Sequence, residues 1–221
     1  MINITVLGVC GSQFADGNTE AYLAHALSAA KESKAQTGIL SLADTNIHDC
    51  CQCNYCVKSQ KPGHFCKQHD GMEEIYPRVL DADGLIVASP ANFGRLSVLT
   101  AIFLNRLRAF VRGNVYGGRL RNKVGGAMCV GWRRNAGLET TLLSINYGFL
   151  SLEMVVASGH DHGTFYGAAS YSSIEGTGQF VKNEKQLVMK NMTGLKSAES
   201  LGKRVVELGR ITKSGQELLA K

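Results

Sequence analysis

Five short, almost uninterrupted apolar runs, Ile4 to Val9, Gly38 to Leu42, Gly84 to Ala88, Val124 to Val130 and Met154 to Ala157, alternate along the 221-residue chain with segments of helical periodicity. A strand that is apolar throughout, without alternation, is buried on both faces, as in a parallel sheet covered by helices on each side. The runs therefore predict five parallel strands. Between them Asn18 to Ser33, Met72 to Leu80, Leu96 to Val111 and Leu138 to Phe149 read as helices. Met72, Ile75, Tyr76, Val79 and Leu80 follow the i, i+3, i+4, i+7, i+8 spacing of a buried helix face. Asp70, three residues before Glu73, supplies a capping box in front of that helix. Regular β–α alternation predicts a doubly wound α/β fold with ligands at the carboxyl ends of the strands. Beyond the fifth run, Ser158 to Gly178 is rich in Gly, Ser and Tyr and reads as a long loop. A Lys-containing segment and a last helix from about Ser197 to Leu219, striped by Leu201, Val205 and Leu208, follow it. The length suits one domain, residues 1–221, and no internal repeat or low-complexity tract divides it.

Composition sets the chain's surroundings. With 44% hydrophobic and 19% charged residues, and no apolar run of membrane-spanning length, the chain reads as a soluble globular protein with no membrane partner. The opening Ile2 to Val9 has neither a basic n-region nor a cleavage site, so a cytoplasmic location is expected. The net charge is +6, but Arg and Lys are dispersed over Arg95 to Arg134 and the C-terminal segment, and no nucleic-acid-binding motif is present. No nucleic-acid partner is expected. A field of this sign attracts an acidic electron-transfer partner or a phosphorylated cofactor, or belongs to an ordinary solvated surface.

The cysteines carry the clearest chemistry. Seven are present, five of them between Cys50 and Cys66, and in a reducing compartment such a cluster reads as ligands or redox groups, not a disulfide framework. Cys50, Cys53 and Cys56 stand in CxxCxxC, followed after nine residues by Cys66. Thiolates two residues apart converge on one [4Fe–4S] cube, and tetrahedral Cys₄ zinc uses the same ligand inventory. Cys51 offers an alternative register, while Cys10 and Cys129 at strand ends read as core thiols. The loop after the first strand, Gly11 to Thr19, matches neither the dinucleotide fingerprint nor the P-loop. It leads hydroxyls and small residues into a helix start, where free N–H groups favour a phosphate. Ser12, Asn18 and Thr19 are placed on that phosphate, or Asn18 and Thr19 cap the helix.

The pattern Gly-Ser-x(4)-Gly-Asn-Thr after strand one, Ser89 to Gly94 after strand three and Gly131 to Gly137 after strand four resembles the NADPH-dependent FMN reductase superfamily of flavodoxin-like proteins. The cysteine-rich insert after strand two, residues 48–70, ending Cys66-x-x-x-Asp70, resembles the iron–sulfur flavoproteins within it. The resemblance implies a flavodoxin-like five-stranded doubly wound sheet, FMN, and a [4Fe–4S] cluster on Cys50, Cys53, Cys56 and Cys66. It places the FMN phosphate at Ser12, Gln13, Gly17, Asn18 and Thr19, and the ring and ribityl chain along Pro90, Ala91, Asn92, Phe93 and Gly94. Relatives commonly have an aromatic where Asn92 stands, which passes ring stacking to Phe93 or a neighbouring subunit. The resemblance further sets Gly131, Arg133, Arg134, Asn135 and Gly137 along the flavin edge, with Arg133 or Arg134 stabilising negative charge on the reduced ring, or both are surface arginines. Trp132 covers the flavin or packs.

His160-Asp161-His162 reads as a solvated loop rather than a metal site, and His64 and His69 flank Cys66 as replacement ligands or hydrogen-bonding neighbours. The implied function is an oxidoreductase that takes electrons from a ferredoxin-like donor and passes them, via cluster and FMN, to a quinone, dioxygen or peroxide. A homodimer or tetramer is implied. The rival readings are a cluster-free NAD(P)H-dependent FMN or quinone reductase and a zinc-stabilised noncatalytic binding module.

Overall fold

The computed structural model describes residues 2–159 and 165–219. The order is β1 (Thr5–Cys10), α1 (Asn18–Glu32), β2 (Gln36–Ser41), α2 (Tyr55–Lys58), α3 (Met72–Asp81), β3 (Gly84–Asn92), β4 (Arg95–Leu96), α4 (Val98–Arg106), β5 (Val124–Gly131), α5 (Leu138–Ser151), β6 (Val155–Val156), β7 (Ala168–Tyr171) and α6 (Met192–Leu219). Strands lie in the order β2-β1-β3-β5-β6, all parallel, with the break in sequence order at β1 and β3 where doubly wound sheets bind ligands.

Two cores follow from strands buried on both faces. On one side Leu7, Val9, Leu85 and Val87 pack with Ile75, Tyr76 and Val79 of α3, Phe103 of α4, Phe149 of α5 and Phe65 of the cysteine-rich insert. On the other, Val6, Ile86 and Met128 pack with Tyr22 and Leu23 of α1 and Leu201 and Val205 of α6. Each such side chain contributes about 1.5–3 kcal/mol through burial.

The structure differs from the expected pattern in five places. The fifth strand is split: β6 pairs with the start of β5, Val124 opposite Val155, and β7 with its end, Met128 to Gly131 opposite Ala168 to Tyr171. The segment expected as loop thus holds a strand, because the upper half of buried β5 needs partners for its amides and carbonyls. β3 continues past Ala88 to Asn92 and folds back on β4 through Phe93 and Gly94, both left-handed at φ 51° and 77°. The third helix stops at Arg106 and tightens into a 3-10 turn over Leu107–Phe110, and α6 starts at Met192. The capping box is half formed: Asp70 accepts from the Met72 N–H at 3.0 Å, while the Glu73 carboxylate meets His69 Nδ1 at 2.7 Å. No helix among the described residues is long and apolar enough to cross a membrane. His160, Asp161 and His162 lie outside the described residues.

Candidate functional site

Cys10 at the end of β1 lies opposite Ala88 of β3, and Ala88 opposite Met128 of β5, and β3 and β5 run on together to Pro90 and Val130, so the segments that follow the three strands leave the same edge of the sheet. In the first loop Gly17 is the N-cap of α1, and no side chain caps the helix. The first-turn amides therefore face the loop without a side-chain acceptor. Neither Asn18 nor Thr19 serves as cap. Asn18 Oδ1 accepts from the Val188 N–H at 3.0 Å, and Thr19 is buried. Buried Ser12 accepts from the Phe14 N–H at 3.1 Å, and Gln13 is exposed.

A hydroxyl network fixes the first loop to the second. Ser97 Oγ donates to the Gly11 carbonyl at 2.6 Å and accepts from the Thr100 N–H at 3.1 Å, while the Ser97 N–H donates to Ser89 Oγ at 2.9 Å. The second loop carries Pro90 and Ala91 half-buried on β3, Asn92 exposed at its end, and Phe93 projecting fully into solvent at the hairpin tip. The third loop touches the second through two backbones. Gly137, left-handed at φ 83°, lies so near that a Cβ on it would stand 2.3 Å from Gly94 Cα, and Thr140 Oγ1 donates to the Gly94 carbonyl at 2.5 Å.

The two arginines lie on aromatic rings. Arg133 sits over Trp132 at 5.4 Å, Trp132 stacks on Phe180 at 5.4 Å, and Arg134 sits over Tyr171 at 5.9 Å. With Asn135 and Glu175 they line an open cleft of about 400 Å³ next to Gly131. An uncapped helix start, flanked by two loops joined at glycine backbones and a pair of exposed guanidinium groups, fits a phosphate-bearing planar ligand.

The cysteine-rich insert hangs from the segment after α4. Gln52 and Asn54, between successive cysteines, are left-handed at φ 53° and 58° and coil the chain. Burial pushes the Cys56 thiol above its ordinary pKa, Arg108 opposes this, and Cys66, Cys50 and Cys53 each raise it further. Cys56 and Cys66 pack against the same core cluster. Among the described residues no three Cys, His, Asp or Glu side chains meet at metal-ligating distance. The insert's candidate ligands are sulfur donors, which suit an iron–sulfur cluster or zinc and not a hard cation. His69 is engaged by Glu73, and Cys51 and Cys53 are exposed.

Arg106 ties both ends of the insert. Its side chain and that of Asp70 are 1% and 2% exposed. Nη1 reaches Asp70 Oδ2 at 2.5 Å and the His48 carbonyl at 2.6 Å, and Nη2 reaches Asp70 Oδ1 at 3.1 Å. Burial raises the Asp70 pKa, but the Arg106 hydrogen bond, backed by the amides of His48 and Met72, outweighs it and holds the carboxyl below its usual range. Gln60 secures the middle: its Nε2 donates to the carbonyls of Phe65 (3.0 Å) and Ala109 (3.2 Å), and its Oε1 accepts from the amides of Val115 (3.2 Å) and Tyr116 (3.1 Å). Phe65 stacks between Tyr76 and Tyr116, at 5.1 and 4.3 Å. Sequence reading missed Arg106, Gln60 and the Ser89–Ser97–Thr100 network. Asp70, as the last residue of Cys66-x-x-x-Asp70, and Ser89, as the first of the loop after strand three, carried a signal.

Cys10 and Cys129 are wholly buried, and burial pushes their thiols to about 11 and about 12, in line with the core role expected of them. In metal-free folded protein an aromatic disulfide reagent is expected to titrate the five insert cysteines and to reach these two only after denaturation. Rapid reaction of all seven would contradict their burial.

Residues 4–162 match the family model "NADPH-dependent FMN reductase". An iron–sulfur flavoprotein of Methanocaldococcus jannaschii is 35% identical over 208 residues, spanning 94% of this chain and 98% of that protein. One from Methanosarcina thermophila is 32% identical over 157 residues, 71% of this chain and 78% of that protein. Among solved structures, RosB superposes with a TM-score of 0.71 at 15% identity, over 96% of this chain and 81% of that one. The NAD(P)H:quinone oxidoreductase of Methanothermobacter marburgensis gives 0.60 at 12% identity, over 92% and 100%. The structural likenesses establish the fold, and the sequence matches establish the kinship. This chain belongs to the iron–sulfur flavoproteins of the NADPH-dependent FMN reductase superfamily, a group of flavin-dependent oxidoreductases.

Proposed function

We propose that the protein is an electron-transfer oxidoreductase that holds FMN on its three strand-end loops and a [4Fe–4S] cluster on Cys50, Cys53, Cys56 and Cys66. It takes electrons from a ferredoxin-like donor and delivers them to a quinone, dioxygen or peroxide. The observation that carries this reading is that Cys50, Cys53, Cys56 and Cys66 stand on one insert anchored by buried Arg106 and Gln60, on a chain whose first strand-end loop leads into an uncapped helix start. When bound, a cluster moves electrons one at a time and a flavin moves them singly or in pairs.

The chain's own part is to bind and orient. The amides at the start of α1, with Gly17, Asn18 and Thr19, receive the phosphate, and Ser12 and Gln13 flank it. Pro90 to Gly94 border the ring, and Phe93, exposed at the hairpin tip, supplies stacking surface where Asn92 cannot. Arg133 and Arg134 set positive charge where the ring accumulates negative charge. Cys50 shares a cleft with Gly148 and Ser151 far along α5, whereas the flavin loops adjoin Leu138 at its start, about 15 Å away along the helix axis. A homodimer or tetramer that sets the insert of one chain against the loops of another shortens that path.

The test is absorption spectroscopy of anaerobically purified protein, with iron, sulfide, zinc and flavin analysis of the same sample. About four irons and one FMN per chain are expected for these cofactors. Serine at position 50, 53, 56 or 66 should abolish iron while leaving flavin in place, and Cys51→Ser should leave both. FMN without iron, with direct hydride transfer from NAD(P)H, would select the cluster-free reductase, and a colourless zinc protein the binding module.

A further inference from the structure

The net positive charge of this protein is concentrated on one structural unit. Residues 48–70 and 105–123 carry nine of the 24 Lys and Arg side chains but only two of the 18 Asp and Glu, so the remaining residues carry 15 against 16. The dispersed basicity of the sequence is therefore gathered by the fold, because these two segments pack together. The Asn114 N–H donates to the Cys56 carbonyl at 3.0 Å, the Gly63 N–H to Tyr116 Oη at 2.6 Å, and Arg108 Nη2 to Asn54 Oδ1 at 2.6 Å. Both acids of the unit are engaged: Asp70 by buried Arg106, and Asp49 by the Cys50 amide and Asn105. Lys58, Lys61, Lys67, Arg112 and Arg119 are exposed and Arg108 is half-buried. Among the described residues none of these six forms an ion pair.

We propose that the exposed surface of this unit, which includes Cys51 and Cys53, is the docking surface for an acidic one-electron carrier protein. The inference rests on the function proposed above and adds where and how the donor binds. Unpaired cations around a redox centre raise the encounter rate of an anionic partner and orient it, and the effect falls with ionic strength. Like charge opposes a second copy of this chain placed face to face on the same patch. Chemically the transfer is one electron: the reduced carrier is oxidised, the acceptor on this chain is reduced, and no bond is made or broken.

The experiment is calorimetric titration of the holoprotein with an acidic bacterial ferredoxin in about 20 mM and about 300 mM NaCl, between which exposed charges become screened. Affinity is expected to fall at least about tenfold with salt, and by a similar factor at low salt in the K58E/K61E/R112E/R119E variant, as rim charges on a docking face do. Iron and flavin contents should stay unchanged. A K185E/K196E/K203E variant, altered outside the unit, should bind as the parent does. Equal loss in both variants, affinity indifferent to salt, or loss of a self-associated state in the first variant would overturn the proposal. Anaerobically purified protein found to hold no iron, yet binding through the patch, would overturn the cluster reading and leave the docking surface standing.

Discussion

Arg106→Leu is expected to destabilise the protein by about 3–5 kcal/mol, the cost of leaving one member of a buried ion pair unmatched. The Asp70 side chain, 2% exposed, would lose its two-pronged partner, and the His48 carbonyl would lose its donor. Urea unfolding followed by tryptophan fluorescence reads the stability, and iron analysis reads the insert. Both should fall together, with Arg106→Lys intermediate because an ammonium keeps the charge but not the fork. If Arg106→Leu unfolded at the parental midpoint with full iron, the pair would not be the anchor of the insert. The pH dependence has a definite sign. Since the folded Asp70 pKa lies below its unfolded value, its contribution is complete above the ordinary carboxylate pKa of about 3.9 and is lost as pH falls through the folded value. The insert should therefore stay anchored at mildly acid pH and come loose only in stronger acid.

The second large effect is expected at Gly137. A methyl group there would lie 2.3 Å from Gly94 Cα and 2.7 Å from Gly94 C, backbone atoms that cannot swing aside, and φ is +83°. Gly137→Ala must push the second and third loops apart, so FMN affinity of the apoprotein, measured by quenching of flavin fluorescence, should fall at least about tenfold, an amount that one misplaced loop readily costs. Gly118 is the control. It is equally left-handed at φ +73° but has open space around it, so Gly118→Ala should cost only about 1–2 kcal/mol of stability and leave flavin binding intact. Equal flavin binding by parent and Gly137→Ala would mean that the contact between the loops does not shape the site.

The strands were legible because a strand buried on both faces writes its own continuous apolar run, as Val124 to Val130 does. The split fifth strand was not: Ala168 to Tyr171 is four residues long, lies among glycines and serines, and is a strand only because β5 offers it unpaired backbone. The loops of the candidate site could be placed because each follows a strand end. Their locking could not, since Ser97 meets Gly11 across 86 residues and Arg106 meets Asp70 across 36. Arg106 stood among dispersed arginines, and nothing in its immediate neighbours distinguishes the buried one from exposed Arg112. In sequence Asn18 suits a phosphate ligand or a cap because both uses are local, whereas its hydrogen-bond partner, Val188, lies 170 residues away.

The hold that Arg106 keeps on His48 and Asp70, residues 22 apart, makes the insert a ring closed without a covalent bond. Bringing the ends of such a segment together from a free chain carries an entropy cost that grows with the logarithm of its length. Here the core meets that cost as the domain folds. On the proposed function, loss of metal would then be damage confined to the ring's interior, and rebuilding the centre would be a local assembly reaction on a standing frame, not a second folding of the chain.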